Sequence, residues 1–171
     1  GCGKSTLMKL ITGIVEPDTG FVEIGETVQM GYFAQEEVDM NQNQRVIDYV
    51  KEIAEYIPTR DGRISASQLL ERFLFDSAMQ YTPISKLSGG ERRRLYLLGV
   101  LASGCNMLLL DEPGNNLDIP TLTILEDYLN SFSGIVVVVS HDRYFLDNVV
   151  DRIFAFDGNG YLQQYEGGYT D

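Results

Sequence analysis

The chain opens on Gly1-Cys2-Gly3-Lys4-Ser5-Thr6, and Gly3, Lys4 and Ser5 fill the last three positions of the phosphate-loop pattern G-x-x-x-x-G-K-[ST]. Glycines let backbone N–H groups turn inward as an anion nest, and a helix start adds roughly half a positive charge. Lys4 would reach the β- and γ-phosphates of a nucleotide, and the Ser5 hydroxyl would hold Mg²⁺. A glycine turn that merely starts a helix is the plainer reading of so short a motif. Three further features weigh against it.

The run "MLLLDE" sets Asp111 and Glu112 where an apolar strand meets the surface. One acid there can hold a Mg²⁺ shell and a second can orient a water. Two glycines precede a helix in "LSGGE", so Ser88, Gly89 and Gly90 offer free donors to an anion, although Ser88 and Glu91 also form a Ser-x-x-Glu helix cap. His141, the one histidine, follows the run "VVVVS" at a strand's C-terminal end, where ligand sites of α/β proteins gather. Gln35, after "MGYFA", is by itself an unremarkable polar residue. The arginines 92–94 read as a solvated or interface face, because they alternate around the helix.

Positioning these groups requires alternating strands and helices, hence an α/β domain with a mainly parallel sheet. Residues 4–14 read as a helix with Leu7, Leu10, Ile11 and Ile14 on one face. "FVEI" and "VQMGYF" read as two strands joined at Gly25. "RVIDYVKEIAEYI" spaces apolar residues at 46, 50, 53 and 57 as a helix ending at Pro58. Ser65 to Gln68 caps another helix carrying Leu69, Leu70 and Phe73. Residues 36–86 are therefore expected to form a helical subdomain, inserted between 1–35 (phosphate-loop helix onwards) and 87–171. In that last part lie the helix from Ser88, the strand ending at Asp111, a helix capped by Asp118 with Leu122, Leu125 and Leu129 facing inward, a second buried strand "GIVVVVS", and a hairpin around Asp157–Gly160.

Bulk composition narrows the function classes. At 171 residues the chain can bury one domain core. Its apolar runs fall far below the ~20 residues of a membrane span. Thirteen Lys and Arg against 25 Asp and Glu give a net charge of −12, a poor footprint for direct nucleic-acid binding, which depends on neutralising phosphates. Two cysteines, Cys2 and Cys105, make no disulfide framework and fit a reducing, cytoplasmic compartment. Cys105 reads as plain packing.

In order, "GCGKST", Gln35, "LSGGE", "LLLDEP", "NNLD" and "SHD" resemble the motifs of the ATP-binding cassette (ABC) ATPases, and the resemblance covers nearly the whole chain. "SHDRYFLDNV", "YTPISKLSGGERRRL" and the tail "FDGNGYLQQYEGGYTD" look like the soluble ABC-F branch, most like the C-terminal cassette of Uup-like proteins. The resemblance implies a P-loop NTPase fold, ATP and Mg²⁺ as ligand and cofactor, and a head-to-tail pair with a second cassette. Gly1, Cys2, Gly3, Lys4, Ser5 and Thr6 would cradle phosphate; Gln35 would sense Mg²⁺ and the attacking water; Asp111 would support Mg²⁺. Glu112 would be the general base, and His141 would contact the γ-phosphate. Asp118 would lie at the pair interface, and Ser88, Gly89 and Gly90 would touch ATP bound to the opposite cassette. Ribosome or nucleic-acid partners are implied through other segments. The alternative is the ATPase subunit of a membrane transporter. A third expectation is an inert fragment acting as a pairing module.

Gly114 departs from the threonine common in that branch. Gly1 aligns with the fourth position of the loop, so an N-terminally truncated cassette is expected, one that by itself binds ATP poorly and turns over little.

Overall fold

The computed structural model describes residues 3–156 and 161–170. Gly1, Cys2 and the expected turn at Asp157–Gly160 lie outside the described residues.

A parallel sheet of order β1-β4-β5 forms the centre, built from β1 (Met30–Phe33), β4 (Met107–Asp111) and β5 (Ile135–Val139). Leu108, Leu109 and Leu110 of the middle strand are all buried, as a strand covered on both faces must be. Strand β5, expected to be buried, is only half so, and Ile135 at its start is 61% exposed, because among the described residues it pairs with β4 alone. Asn106 ties the strand starts together: its side-chain oxygen accepts from the Gln29 N–H at 2.8 Å and its amide donates to the Thr27 carbonyl at 2.8 Å.

Around this sheet lie helices α1 (Lys4–Thr12), α5 (Gly89–Ala102), α6 (Ile119–Asn130) and α7 (Arg143–Val149). Helix α1 buries Met8 rather than the predicted stripe, and Ile14 lies beyond its end at 62% exposure. Three predicted caps form. Ser65 and Ser88 each close a capping box, with Gln68 and Glu91 respectively, and the Asp118 side chain accepts from the Thr121 N–H at 2.9 Å. Leu125 and Leu129 of α6 are buried as expected, and Leu122 packs at the core's margin.

The segment between β1 and α5 differs from expectation in one element. Helix α2 (Val46–Ile53) stops before Pro58, and Tyr56–Thr59 (β2) pairs antiparallel with Gly62–Ser65 (β3) around Arg60-Asp61. Ala54 turns to extended backbone (φ −159°, ψ 131°), and Pro58 faces Arg63 in this two-stranded ribbon, where a residue without an N–H is tolerated. Helices α3 (Ala66–Arg72) and α4 (Ser77–Gln80) and a 3₁₀ turn at Ile84–Lys86 complete the segment. It shares one hydrophobic core with the sheet side: Val46, Val50, Leu69 and Leu70 belong to the same cluster as Leu95, Leu98 and Leu108. At Gly99 of α5 a Cβ would meet Tyr49 and Ile53 of α2 at 3.0 Å, so glycine sets how closely the two helices approach.

"FVEI" is not a strand. Residues 21–25 pair with no strand among the described residues, and Phe21 is 83% exposed. The final elements are β6 (Arg152–Phe156) and β7 (Leu162–Glu166), antiparallel as the predicted hairpin requires.

Candidate active site

The sheet register decides what meets at its upper edge. Phe33 pairs with Leu110, and Leu110 pairs with Val138, so these three residues form one row. Two residues beyond each stand Gln35, Glu112 and Ser140, followed by His141. Loops at the C-terminal ends of parallel strands are where α/β proteins bind ligands. Gln35, Asp111, Glu112 and His141, scattered over more than a hundred residues of sequence, are brought to a single edge.

Glu112 and His141 touch. The imidazole Nε2 lies 3.1 Å from the Glu112 Oε1, and the His141 backbone N–H donates to Oε2 at 3.4 Å. The carboxylate is recessed, 10% exposed, whereas the imidazole is 79% exposed and reaches outward. Glu112 has φ 49°, a left-handed conformation that an ordinary side chain adopts only where surroundings impose it. Its own N–H donates to the Val139 carbonyl at 2.7 Å, which fixes the residue against β5.

Asp111 is 1% exposed, and neither of its carboxylate oxygens has a hydrogen-bond partner among the described residues. A buried, unsatisfied carboxylate is costly unless something cationic meets it. Its influence reaches Tyr32 on the neighbouring strand, whose phenol is pushed above its ordinary pKa by burial first and then by the charges of Asp111 and Glu36. A hard cation with oxygen ligands suits this donor. Mg²⁺ in nucleotide sites takes one or two carboxylates plus phosphate and water, so a three-acid cluster is not required. Ser5 and Gln35 are the further oxygen donors the sequence singled out.

Gly3 precedes α1 in the left-handed conformation, φ 95°, with no atom within 4 Å of where a Cβ would stand. Among the described residues no side chain caps the first turn of α1. Its N–H groups are therefore open to an anion beside the half-buried Lys4 and Ser5 and the exposed Thr6. Gly1 and Cys2 lie outside the described residues.

Ser88, Gly89 and Gly90 are exposed at the start of α5. Two clefts flank them. One of about 350 Å³ is lined by Ser88, Gly90, Arg94, Asn116 and Asp118. The other, of about 660 Å³, brings Gln35 together with Gly89, Gly90, Arg93 and Tyr96. Asp118, besides capping α6, stands 3.9 Å from Arg94. The Thr121 hydroxyl and backbone N–H, and then the Arg94 charge, hold its carboxyl below the usual range.

The arginine run corrects the sequence reading. Arg93 and Arg94 are 7% and 8% exposed, not a solvated face. The Arg94 guanidinium lies 4.6 Å from the centre of the Phe75 ring, and that of Arg93 lies 4.1 Å from the centre of the Phe33 ring. Their partners come from distant segments, so helical spacing alone could not find them.

The parallel sheet, the glycine-led helix and the acids at a strand end define the class: a P-loop nucleotide-binding fold. The ABC transporter family profile matches residues 1–115, and the chain belongs to that family, whose members are ATP-binding ATPases. Over the whole chain it is 55% identical to the uncharacterized ABC transporter ATP-binding protein YfmR of Bacillus subtilis. It is 39% identical to the ATP-binding protein Uup of Escherichia coli K12, and equally to that organism's energy-dependent translational throttle protein EttA. Its homologues thus include ABC-F proteins. The chain spans 27% of the length of the first two and 31% of the third. A solved ATP-binding subunit of an ABC transporter superposes with a TM-score of 0.79 at 16% identity, covering 96% of this chain and 74% of that one, which establishes the shared fold. Among the described residues no helix is long and apolar enough to cross a membrane.

Proposed function

We propose that this chain is the ATP-hydrolysing cassette of a cytoplasmic ABC-F type protein. In this reading it works as a head-to-tail pair with a second cassette, on a translation-related or nucleic-acid-related task. The observation that carries it is the recessed Glu112 carboxylate held by His141 beside the unpartnered, buried Asp111. A carboxylate so fixed can accept a proton from, or orient, a water attacking the γ-phosphate. The exposed His141 ring would meet the phosphate oxygens while its Nε2 keeps Glu112 aimed. Lys4, Thr6 and the N–H groups that follow Gly3 would cradle the phosphates, with Gly1 and Cys2 completing the loop.

Mg²⁺, when bound, would neutralise charge on the β- and γ-phosphates. Asp111, Ser5 and Gln35 are the residues that would hold it. Ser88, Gly89 and Gly90, exposed beside Asp118, would close over the nucleotide of the opposite cassette. The 36–86 segment would form the helical part of the cassette, between a phosphate-loop part (1–35) and the part running from Ser88 to the terminal hairpin (87–171).

In the native polypeptide, Glu112→Gln should leave Mg·ATP binding intact and slow hydrolysis by on the order of 10²–10⁴, the usual worth of a positioned acid–base group. Equal rates for the two proteins would remove Glu112 from the reaction. A transporter ATPase subunit is the second reading, in line with the name of YfmR as an ABC transporter ATP-binding protein. Sedimentation of the Glu112→Gln protein with ribosomes in Mg·ATP supports the first reading, and its recovery in the membrane fraction with a transmembrane partner supports the second.

A further inference from the structure

Resting on that ATPase reading, we propose that Arg93 and Tyr96 are positioning residues that fix Gln35 for the reaction by holding the backbone on both sides of it. They stand one turn apart on α5. The Tyr96 hydroxyl donates to the Tyr32 carbonyl at 3.1 Å and accepts from the Ala34 N–H at 3.2 Å. The Arg93 guanidinium donates through Nη2 to the Ala34 carbonyl at 2.6 Å and through Nη1 to the Glu36 carbonyl at 3.2 Å. Four backbone groups are thereby tied to one helix, and Gln35 stands between the tethered residues while remaining exposed.

The grip is firm for physical reasons. Arg93 is 7% exposed, and its bonds to carbonyls are charge-assisted, roughly twice the strength of neutral ones. Phe33 sits beneath the guanidinium and also packs against the Tyr96 ring, with centroids 5.1 Å apart. Lys9 of α1 also reaches the Glu36 carboxylate, at 3.1 Å. A planar fork spans two carbonyls, which the compact ammonium of lysine does not. Helix α5 starts at Ser88–Gly90, so one rigid element links those glycines to the Gln35 loop.

The test is a mutant cycle in the native polypeptide: Tyr96→Phe and Arg93→Lys, each with Gln35 present and with Gln35→Ala, by single-turnover and steady-state Mg·ATP hydrolysis. Tyr96→Phe removes one oxygen and keeps the ring; Arg93→Lys keeps the charge and serves if the first variant fails to fold. With Gln35 present each should lower kcat roughly tenfold or more with KM changed less than about twofold, since small misplacements cost up to about 10²-fold. With Gln35→Ala each should change the rate by less than about twofold, because residues acting through one group are not additive. Equal losses with and without Gln35, or lowered thermal stability at unchanged kcat, overturn the proposal. If wild type hydrolyses ATP and Glu112→Gln does not, such a result defeats this inference alone. A wild type without turnover defeats the parent reading and this one with it.

Discussion

Asp118 has two duties at the scale of a single side chain. It caps α6 and stands on the face that Ser88 and Gly90 share. Its carboxyl is held below the ordinary range by Thr121 and then Arg94. A depressed folded-state pKa means stability that is fully present above the unfolded pKa of about 3.9 and is lost as pH falls through the lower, folded value. Asp118→Asn keeps a competent cap and removes the charge. The variant should melt below wild type at pH 7, and the gap should shrink as pH falls below about 4; a gap independent of pH would assign the effect to the cap alone. Asp118, Ser65 and Ser88 were all legible in the sequence because a cap is local, decided within three residues. Asp111, Glu112 and His141 were legible too, since an acid or imidazole after an apolar run can only lie at a strand end. Arg93 and Tyr96 were not. Their partners lie 57 to 64 residues away, and an arginine run looks solvated until a ring and a carbonyl arrive from elsewhere.

Among elements, α5 joins several parts of the fold, packing against α2, α3 and β1. It presents the glycine start, grips the Gln35 loop and accepts α2 at Gly99. Gly99→Val would drive methyl groups into Tyr49 and Ile53, already at 3.0 Å from a bare Cβ. Overpacking of this kind costs about 1–3 kcal/mol, and a fall in thermal midpoint in the purified protein checks it; an unchanged midpoint would mean that α2 shifts freely. The alternation of strands and helices made the parallel sheet readable in advance. The β2–β3 ribbon was not, because residues 46, 50, 53 and 57 keep a helical spacing straight across the point where Ala54 turns extended. "FVEI" misled in the opposite way, having strand composition and no strand partner among the described residues.

For the molecule as a whole, charge governs association. These 171 residues carry a formal −12, so two copies of them facing one another would repel. The Debye length shortens from about 30 Å at 0.01 M salt to about 8 Å at 0.15 M. If two copies pair as proposed, closure of the Glu112→Gln protein in Mg·ATP should therefore become more favourable as salt rises over that range, measured by small-angle scattering. Closure weakened by salt would mean that opposite-charge contacts dominate the interface.

The left-handed backbone at Glu112 bears on stability as well as on the proposed reaction. A non-glycine residue there carries about 1–2 kcal/mol of strain, whereas glycine's extra chain freedom costs about 0.5–1 kcal/mol. Glu112→Gly should thus unfold at no lower a temperature than wild type while, on the proposed reading, hydrolysing ATP at least about 10²-fold more slowly. If Glu112 serves as proposed, the strain in its backbone is ruggedness given up for that work.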